Sequence, residues 1–299
     1  MKKQFLRILD LGQENFWQLI QDVDKISSKP SEQIQIWENN IQKSSIHLWI
    51  GKRNEQEKND FLSLLKEVNI NYIEHDCSNM DLEALENIKL DLSPLQVLHI
   101  SCGFNETELY TLSESLGGSC FNGLSEHSCP WAALAEACFN YQQSDFIDKW
   151  RICWIGNVSP IAQSLMEAAI YMPYEFFLGI PSWSKPEYVS TDMALKAGAK
   201  IFMSHEPQLA LDEANIMYID DALESVKSSK PIPINFTNDN FIWERGFILN
   251  DKFLGLAKEN ALIVSTKINA NYAKADTSLQ ENRRKLYKHM LMATLNHIL

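Results

Sequence analysis

Asn122-Gly123-Leu124-Ser125-Glu126-His127-Ser128-Cys129-Pro130-Trp131-Ala132-Ala133-Leu134-Ala135-Glu136 stands near the middle of this 299-residue chain, and the rest is read outward from it. Asn122-Gly123 is turn chemistry. Cys129-Pro130 opens an Ala- and Leu-rich segment, with proline where a helix start tolerates the missing N–H. A loop therefore ends here and a helix runs on to about Tyr141. Such a junction offers unpaired backbone N–H groups and the positive end of a helix dipole, so His127 and Cys129 stand where an anion or a polarised carbonyl can be held. From the residues alone, His127 reads either as an ordinary loop residue or as a ligand-facing imidazole. Cys129 reads either as a thiolate favoured by the helix start or as a packed thiol.

On the N-terminal side, residues 6–11 read as a short extended piece. An amphipathic helix carrying Phe16, Leu19 and Ile20 follows. Apolar runs at 46–50, 70–73 and 95–100 predict strands, and 61–65, 82–88 and 106–116 predict helices between and after them. Alternation at this period is the signature of a parallel α/β sheet. Beyond the polar stretch 142–149 the pattern repeats, with strands predicted at 151–156, 174–178, 200–203, 216–219 and 261–264 and helices at 164–171, 191–197 and 207–214. Asp276-Thr277-Ser278 caps a last helix whose apolar stripe, Leu279, Leu286, Met290 and Ala293, must pack on something. The expected architecture is α/β: two doubly wound parallel-sheet domains of similar size, residues 1–145 and 146–275, joined by interdomain helices, with helix 276–299 packing back on the first. Residues 231–240, rich in Pro and Asn, are the expected mobile loop.

Composition narrows the function. A net charge of −12 argues against nucleic acid and membrane surfaces as partners, since both are anionic. The N-terminal residues are too polar for a secretory signal, no run approaches the ~18 apolar residues of a membrane span, and a cytoplasmic protein is expected. Cys77, Cys102, Cys120, Cys129, Cys138 and Cys153 form no Cys-x-x-Cys pair and fit reduced thiols, so neither a metal nor a cofactor is expected. No Gly-x-Gly-x-x-Gly follows a predicted strand, and Gly156-Asn157-Val158-Ser159 lacks the later glycines, which disfavours a nicotinamide oxidoreductase.

The central stretch resembles the Asn-Gly-Leu-Thr-Asp-x-x-His-Pro-Cys-Gln-Ala-Leu-Ala-Asp signature of the aspartate and ornithine carbamoyltransferases, and is most similar to the ornithine type. Asn122, Gly123, Leu124, Pro130, Ala133, Leu134 and Ala135 agree, and Ser125, Glu126 and Glu136 are near equivalents. The family's catalytic His falls on Cys129 and its Gln on Ala132, leaving His127 as the nearby imidazole. Trp154-Ile155-Gly156 followed by Ser164-Leu165-Met166-Glu167-Ala168-Ala169 resembles the opening of the family's second domain. Asp221-Ala222-Leu223-Glu224-Ser225-Val226-Lys227 resembles its Asp-x-Trp-x-Ser-Met-Gly segment, and Glu281-Asn282-Arg283 its Glu-Asn-Arg.

The resemblance implies a carbamoyl transfer between carbamoyl phosphate, or another acyl phosphate, and an ornithine-like amino acid, in a homotrimer. Catalysis would fall to Cys129, His127 and Arg283. Donor binding would fall to Lys52, Arg53, Lys58 and Ser101, and acceptor binding to Asp221, Ser225, Ser159 and Lys267. The departures concentrate on the donor side. The family's Ser-Thr-Arg-Thr-Arg phosphate loop aligns to Asn54-Glu55-Gln56-Glu57-Lys58, and its next phosphate anchor, an Arg, aligns to Ser101. The paired Asn falls on Ser159-Pro160 and the His-Cys-Leu-Pro segment on Ser265-Thr266-Lys267-Ile268. Two outcomes are open: a divergent transferase with a rebuilt donor site, or an inactive paralogue that binds an amino acid or joins an assembly.

Overall fold

The computed structural model describes residues 3–89, 96–143, 150–219, 255–265 and 277–299. Asp221, Ser225, Lys267 and the loop 231–240 lie outside these residues. The chain divides into two compact units, the first made of Met1–Phe139, Ser159–Ala168 and Arg283–Leu299, the second of Asn140–Val158 and Ala169–Asn282. Each holds a five-stranded sheet whose recorded pairings are all parallel.

In the first unit β1 (Gln4–Phe5), β2 (Ser44–Ile50), β3 (Ile73–Asp76), β4 (Gln96–Phe104) and β5 (Ser119–Ser125) lie in the order β1-β5-β4-β2-β3. A 3₁₀ turn, Ile8–Asp10, leads into α1 (Gly12–Ser28), whose buried Phe16, Leu19, Ile20 and Val23 recur at helical spacing. α2 (Pro30–Ile41) begins on a proline at its first turn, and α3 (Glu55–Glu67) follows β2. α4 (Leu82–Glu86) and α5 (Glu106–Ser115) bury Leu85, Leu109 and Leu112 in one cluster with Trp49 and Cys120. Asn105 caps α5: its side chain accepts from Glu108 N at 2.8 Å while Glu108 accepts from Asn105 N at 2.8 Å, so two otherwise unpaired donors are satisfied reciprocally. α6 (Pro130–Gln143) opens on the proline that the sequence places at a helix start.

Two expectations are corrected here. Asn122-Gly123 is not a turn but the middle of β5. The Asn122 amide donates sideways to Leu6 O at 3.0 Å, and Gly123 is small for packing, since a Cβ there would sit 2.4 Å from the Phe61 ring. The strand expected at 70–73 begins instead at Ile73. Asn69, at φ 57°, turns the chain out of α3 in the left-handed conformation, and Ile70 N still bonds Leu65 O, so those residues finish the helix.

The second unit contains β6 (Trp150–Ile155), β7 (Tyr174–Gly179), β8 (Ile201–Ser204), β9 (Ile216–Ile219) and β10 (Leu262–Ser265), ordered β10-β9-β6-β7-β8. α8 (Tyr188–Lys196) and α9 (Pro207–Leu211) belong to it, and Ala210 and Leu211 pack with Cys153, Ile155, Met217 and Ile219. α7 (Pro160–Ala168) falls in the first unit, as does α10 (Thr277–Ile298) from Arg283 onward. Among the described residues no helix is long and apolar enough to cross a membrane.

Candidate functional site

The carboxyl ends of parallel strands are where open α/β sheets place ligands, because loops and helix N-termini converge there. In the first unit the loops after β2, β4 and β5 meet at this edge. Gly51 N bonds Cys102 O at 2.8 Å and Arg53 N bonds Gly103 O at 2.9 Å. Only glycine fits at position 51, where a Cβ would fall 2.2 Å from Gly103 O. Asn54, left-handed at φ 51°, donates its side-chain amide to Ser125 O at 2.9 Å and turns the chain into α3.

Two of the three basic residues of this edge, Arg53 and Lys58, are already engaged. Lys52 is exposed. The Arg53 guanidinium lies 3.3 Å from Glu126 and 3.7 Å from Glu108, and Lys58 Nζ donates to Gly51 O at 3.0 Å. Glu55 and Glu57 occupy the first turn of α3, where negative charge favours the helix dipole but opposes an incoming anion. Ser101 is buried within β4, paired in register with Asn122 of β5.

Cys129 is also buried. Its N–H donates to Ser164 Oγ at 3.0 Å and its thiol to Gly123 O at 3.4 Å. Burial, reinforced by the charge of Glu57 and only partly offset by the Ala132 backbone, pushes the thiol up to about 12, so it is neutral at physiological pH. It can donate a weak hydrogen bond; it cannot act as a thiolate. His127 is exposed, and its N–H donates to Glu106 Oε1 at 2.9 Å.

Arg283, the resemblance's catalytic arginine, lies at 2% exposure with both Nε and Nη2 directed at Glu136, itself at 1%. Tyr287 Oη donates to the same carboxylate at 2.6 Å. Burial first, then the Glu136 charge, raises the Tyr287 phenol well above its ordinary value and keeps it a donor. Ser159 accepts from Ala162 N at 3.2 Å, the work of a helix cap. The structure thus brings Arg53, Lys58 and His127 to one edge and sets Cys129, Ser101 and Arg283 into the interior. Glu106, Glu108 and Glu126 at that edge were not among the expected site residues; the available signal was the Asn105-x-x-Glu108 capping pattern directly after a strand.

No family model matches the chain. It is 32% identical over 99 residues to the ornithine carbamoyltransferase of Nitratidesulfovibrio vulgaris, a match covering 33% of each chain. It is 23% identical over 237 residues to that of Chlorobaculum tepidum, covering 72% of this chain and 65% of the relative. The chain therefore matches between one third and just under two thirds of these relatives' length. The crystal structure of ornithine carbamoyltransferase from Thermus thermophilus superposes with a TM-score of 0.70 at 15% identity, over 99% of both chains. In sequence this chain resembles the ornithine carbamoyltransferases, and over its whole length it carries their two-domain α/β fold.

Proposed function

We propose that this chain is a divergent carbamoyltransferase-type protein that joins an acyl group from an acyl phosphate to an ornithine-like amino acid. The observation that carries the reading is spatial: the two family-like stretches 122–136 and 281–283, about 150 residues apart in sequence, meet through the buried Arg283–Glu136 pair. In this reading Asp221, Ser225, Ser159 and Lys267 serve the acceptor and Lys52, Arg53, Lys58 and Ser101 the donor, as the family resemblance implies. The acceptor's neutral amine attacks the acyl carbon, the carbon–oxygen bond to phosphate breaks, and the nitrogen's surplus proton passes to the leaving phosphate or to water. A hydrogen bond from His127 would stabilise negative charge on the acyl oxygen, while Arg283, buried against Glu136, and Cys129, buried against Gly123 O, would hold the surrounding elements in place. Such chemistry depends on positioning and charge stabilisation, with no covalent protein intermediate. We further propose a homotrimer, as the family resemblance implies, which light scattering tests.

Glu55, Glu57 and the carboxylates around Arg53 favour a second reading, an inactive paralogue that retains amino-acid binding. One assay separates the two. Citrulline from ornithine and carbamoyl phosphate, lost in Asp221→Ala, supports transfer. A thermal shift with ornithine but no turnover with carbamoyl phosphate or acetyl phosphate supports the paralogue. Neither shift nor turnover overturns both.

A further inference from the structure

We propose that the loops after β4 and β5 form a divalent-cation site whose protein ligands are Glu106, Glu126 and His127. The ligand atoms of these three residues lie within 4.8 Å of one another. A cation bound at about 2.0–2.2 Å from each donor holds donor atoms roughly 3–4.4 Å apart, so modest side-chain rotations suffice. The donor set is mixed, two carboxylates and one imidazole, rather than a patch of solvated acids.

Its members come from separate elements held together by the fold. Glu106 is the first residue of α5, while Glu126 and His127 follow β5 directly. The 125–128 loop is closed by Ser125 N donating to Ser128 O at 2.8 Å, and Glu126 N donates across to Phe104 O at 2.7 Å. Glu106 Oε1 accepts from Ser125 Oγ at 2.7 Å and from His127 N at 2.9 Å, which orients the carboxylate and leaves its second oxygen for a cation.

Charge points the same way. Glu126 and Glu108 face one guanidinium, that of Arg53, at the loose distances of 3.3 and 3.7 Å, and Glu106 adds a third carboxylate to the cluster. Arg53 Nε is buried without a hydrogen-bond partner, so this cation is not fully engaged by the carboxylates it neutralises. The opposing terms are Arg53 itself and the α5 N-terminus, and together they leave the cluster net negative. Two oxygens and one imidazole nitrogen, with no thiol in the donor set, select Mn²⁺ or Zn²⁺ over soft ions.

The site does not depend on acyl transfer. If that reading holds, a cation here also supplies the positive charge that the donor edge lacks.

The test uses Mn²⁺ alone, titrated into the full chain at neutral pH and followed by the electron paramagnetic resonance signal of free ion. One saturable site is expected, weakened at least ~10-fold in Glu106→Gln and in His127→Ala, both checked for folding by circular dichroism. Bound Mn²⁺ should also show nitrogen hyperfine coupling in the wild-type protein, a readout that needs no variant. No saturable binding, absent nitrogen coupling, or undiminished affinity in both folded variants would overturn the proposal. Inorganic phosphate is then titrated with and without Mn²⁺. Phosphate binding that appears only with Mn²⁺ supports both proposals, whereas Mn²⁺ binding without phosphate binding supports the cation site and counts against the donor reading alone.

Discussion

Two clusters in the first unit are built from the same chemistry, an arginine among carboxylates, at opposite depths. In the Glu136–Arg283–Tyr287 cluster the pair is 1% and 2% exposed and every oxygen of the carboxylate has a donor. In the Arg53–Glu108–Glu126 cluster the side chains are 17–36% exposed and the contacts are longer. Depth decides what each can do. A buried pair has lost its water, so removing one partner strands a charge; a half-exposed pair is screened and can exchange partners at little cost. The first cluster therefore fastens α10 to α6, and the second leaves charge available for a ligand.

The largest expected effect tests this contrast directly. Arg283→Ala or Glu136→Ala should destabilise the protein by about 3–5 kcal/mol in urea unfolding, because the remaining charge is buried without its partner. The double replacement Glu136→Leu/Arg283→Met should recover most of that loss. A single variant costing under ~1 kcal/mol would remove the distinction between the clusters.

Next in size is Gly123→Ala. The added methyl would meet the Phe61 ring at 2.4–2.5 Å, and overpacking of this kind typically costs about 1–3 kcal/mol. Phe61→Leu in the same chain should return part of it. Failure of that rescue would mean that β5 itself resists the substitution.

A third effect lies on β2 and β3, where His47 Nδ1 and His75 Nε2 are 2.9 Å apart and the rings stack. Burial lowers both imidazoles, and the charge of His75 adds to the effect on His47. Because the folded values lie below the unfolded value of ~6.5, the unfolded chain binds more protons in this range. The stabilisation is complete above ~6.5 and is lost as pH falls through the lowered folded values. The urea midpoint should drop over that interval, and His47→Gln/His75→Gln should flatten the drop.

Most of the strands were legible because apolar runs of strand length alternate with helical patterns, and Pro130 marked the start of α6. β5 was not, since Asn122-Gly123 carries turn chemistry while its use here, an amide reaching Leu6 and a missing Cβ beside Phe61, depends on distant residues. The candidate site divides in the same way. The arginine at 283 could be picked out by its neighbours in sequence, but its pairing with Glu136 spans 147 positions and no local pattern announces it. The carboxylates that capture Arg53 likewise come from elsewhere, Glu108 from the first turn of α5 and Glu126 from the loop after β5.

The smallest expected effect is that of Arg53→Gln. Its two pairs, at 3.3 and 3.7 Å with 32% of the side chain exposed, belong to the class of screened contacts worth well under ~1 kcal/mol each. Removing the guanidinium also relieves a buried Nε that has no hydrogen-bond partner, which offsets part of the lost attraction. The two contributions oppose each other, so the urea midpoint should move by no more than a few tenths of a molar unit, given slopes of about 1–3 kcal/mol/M. The remaining carboxylates then repel one another without a counter-charge, and added NaCl should stabilise this variant more than the wild type, because salt screens that repulsion. A loss comparable to Arg283→Ala, insensitive to salt, would mean that the donor edge is as firmly built as the α6–α10 pair and that its charge is not available to a ligand.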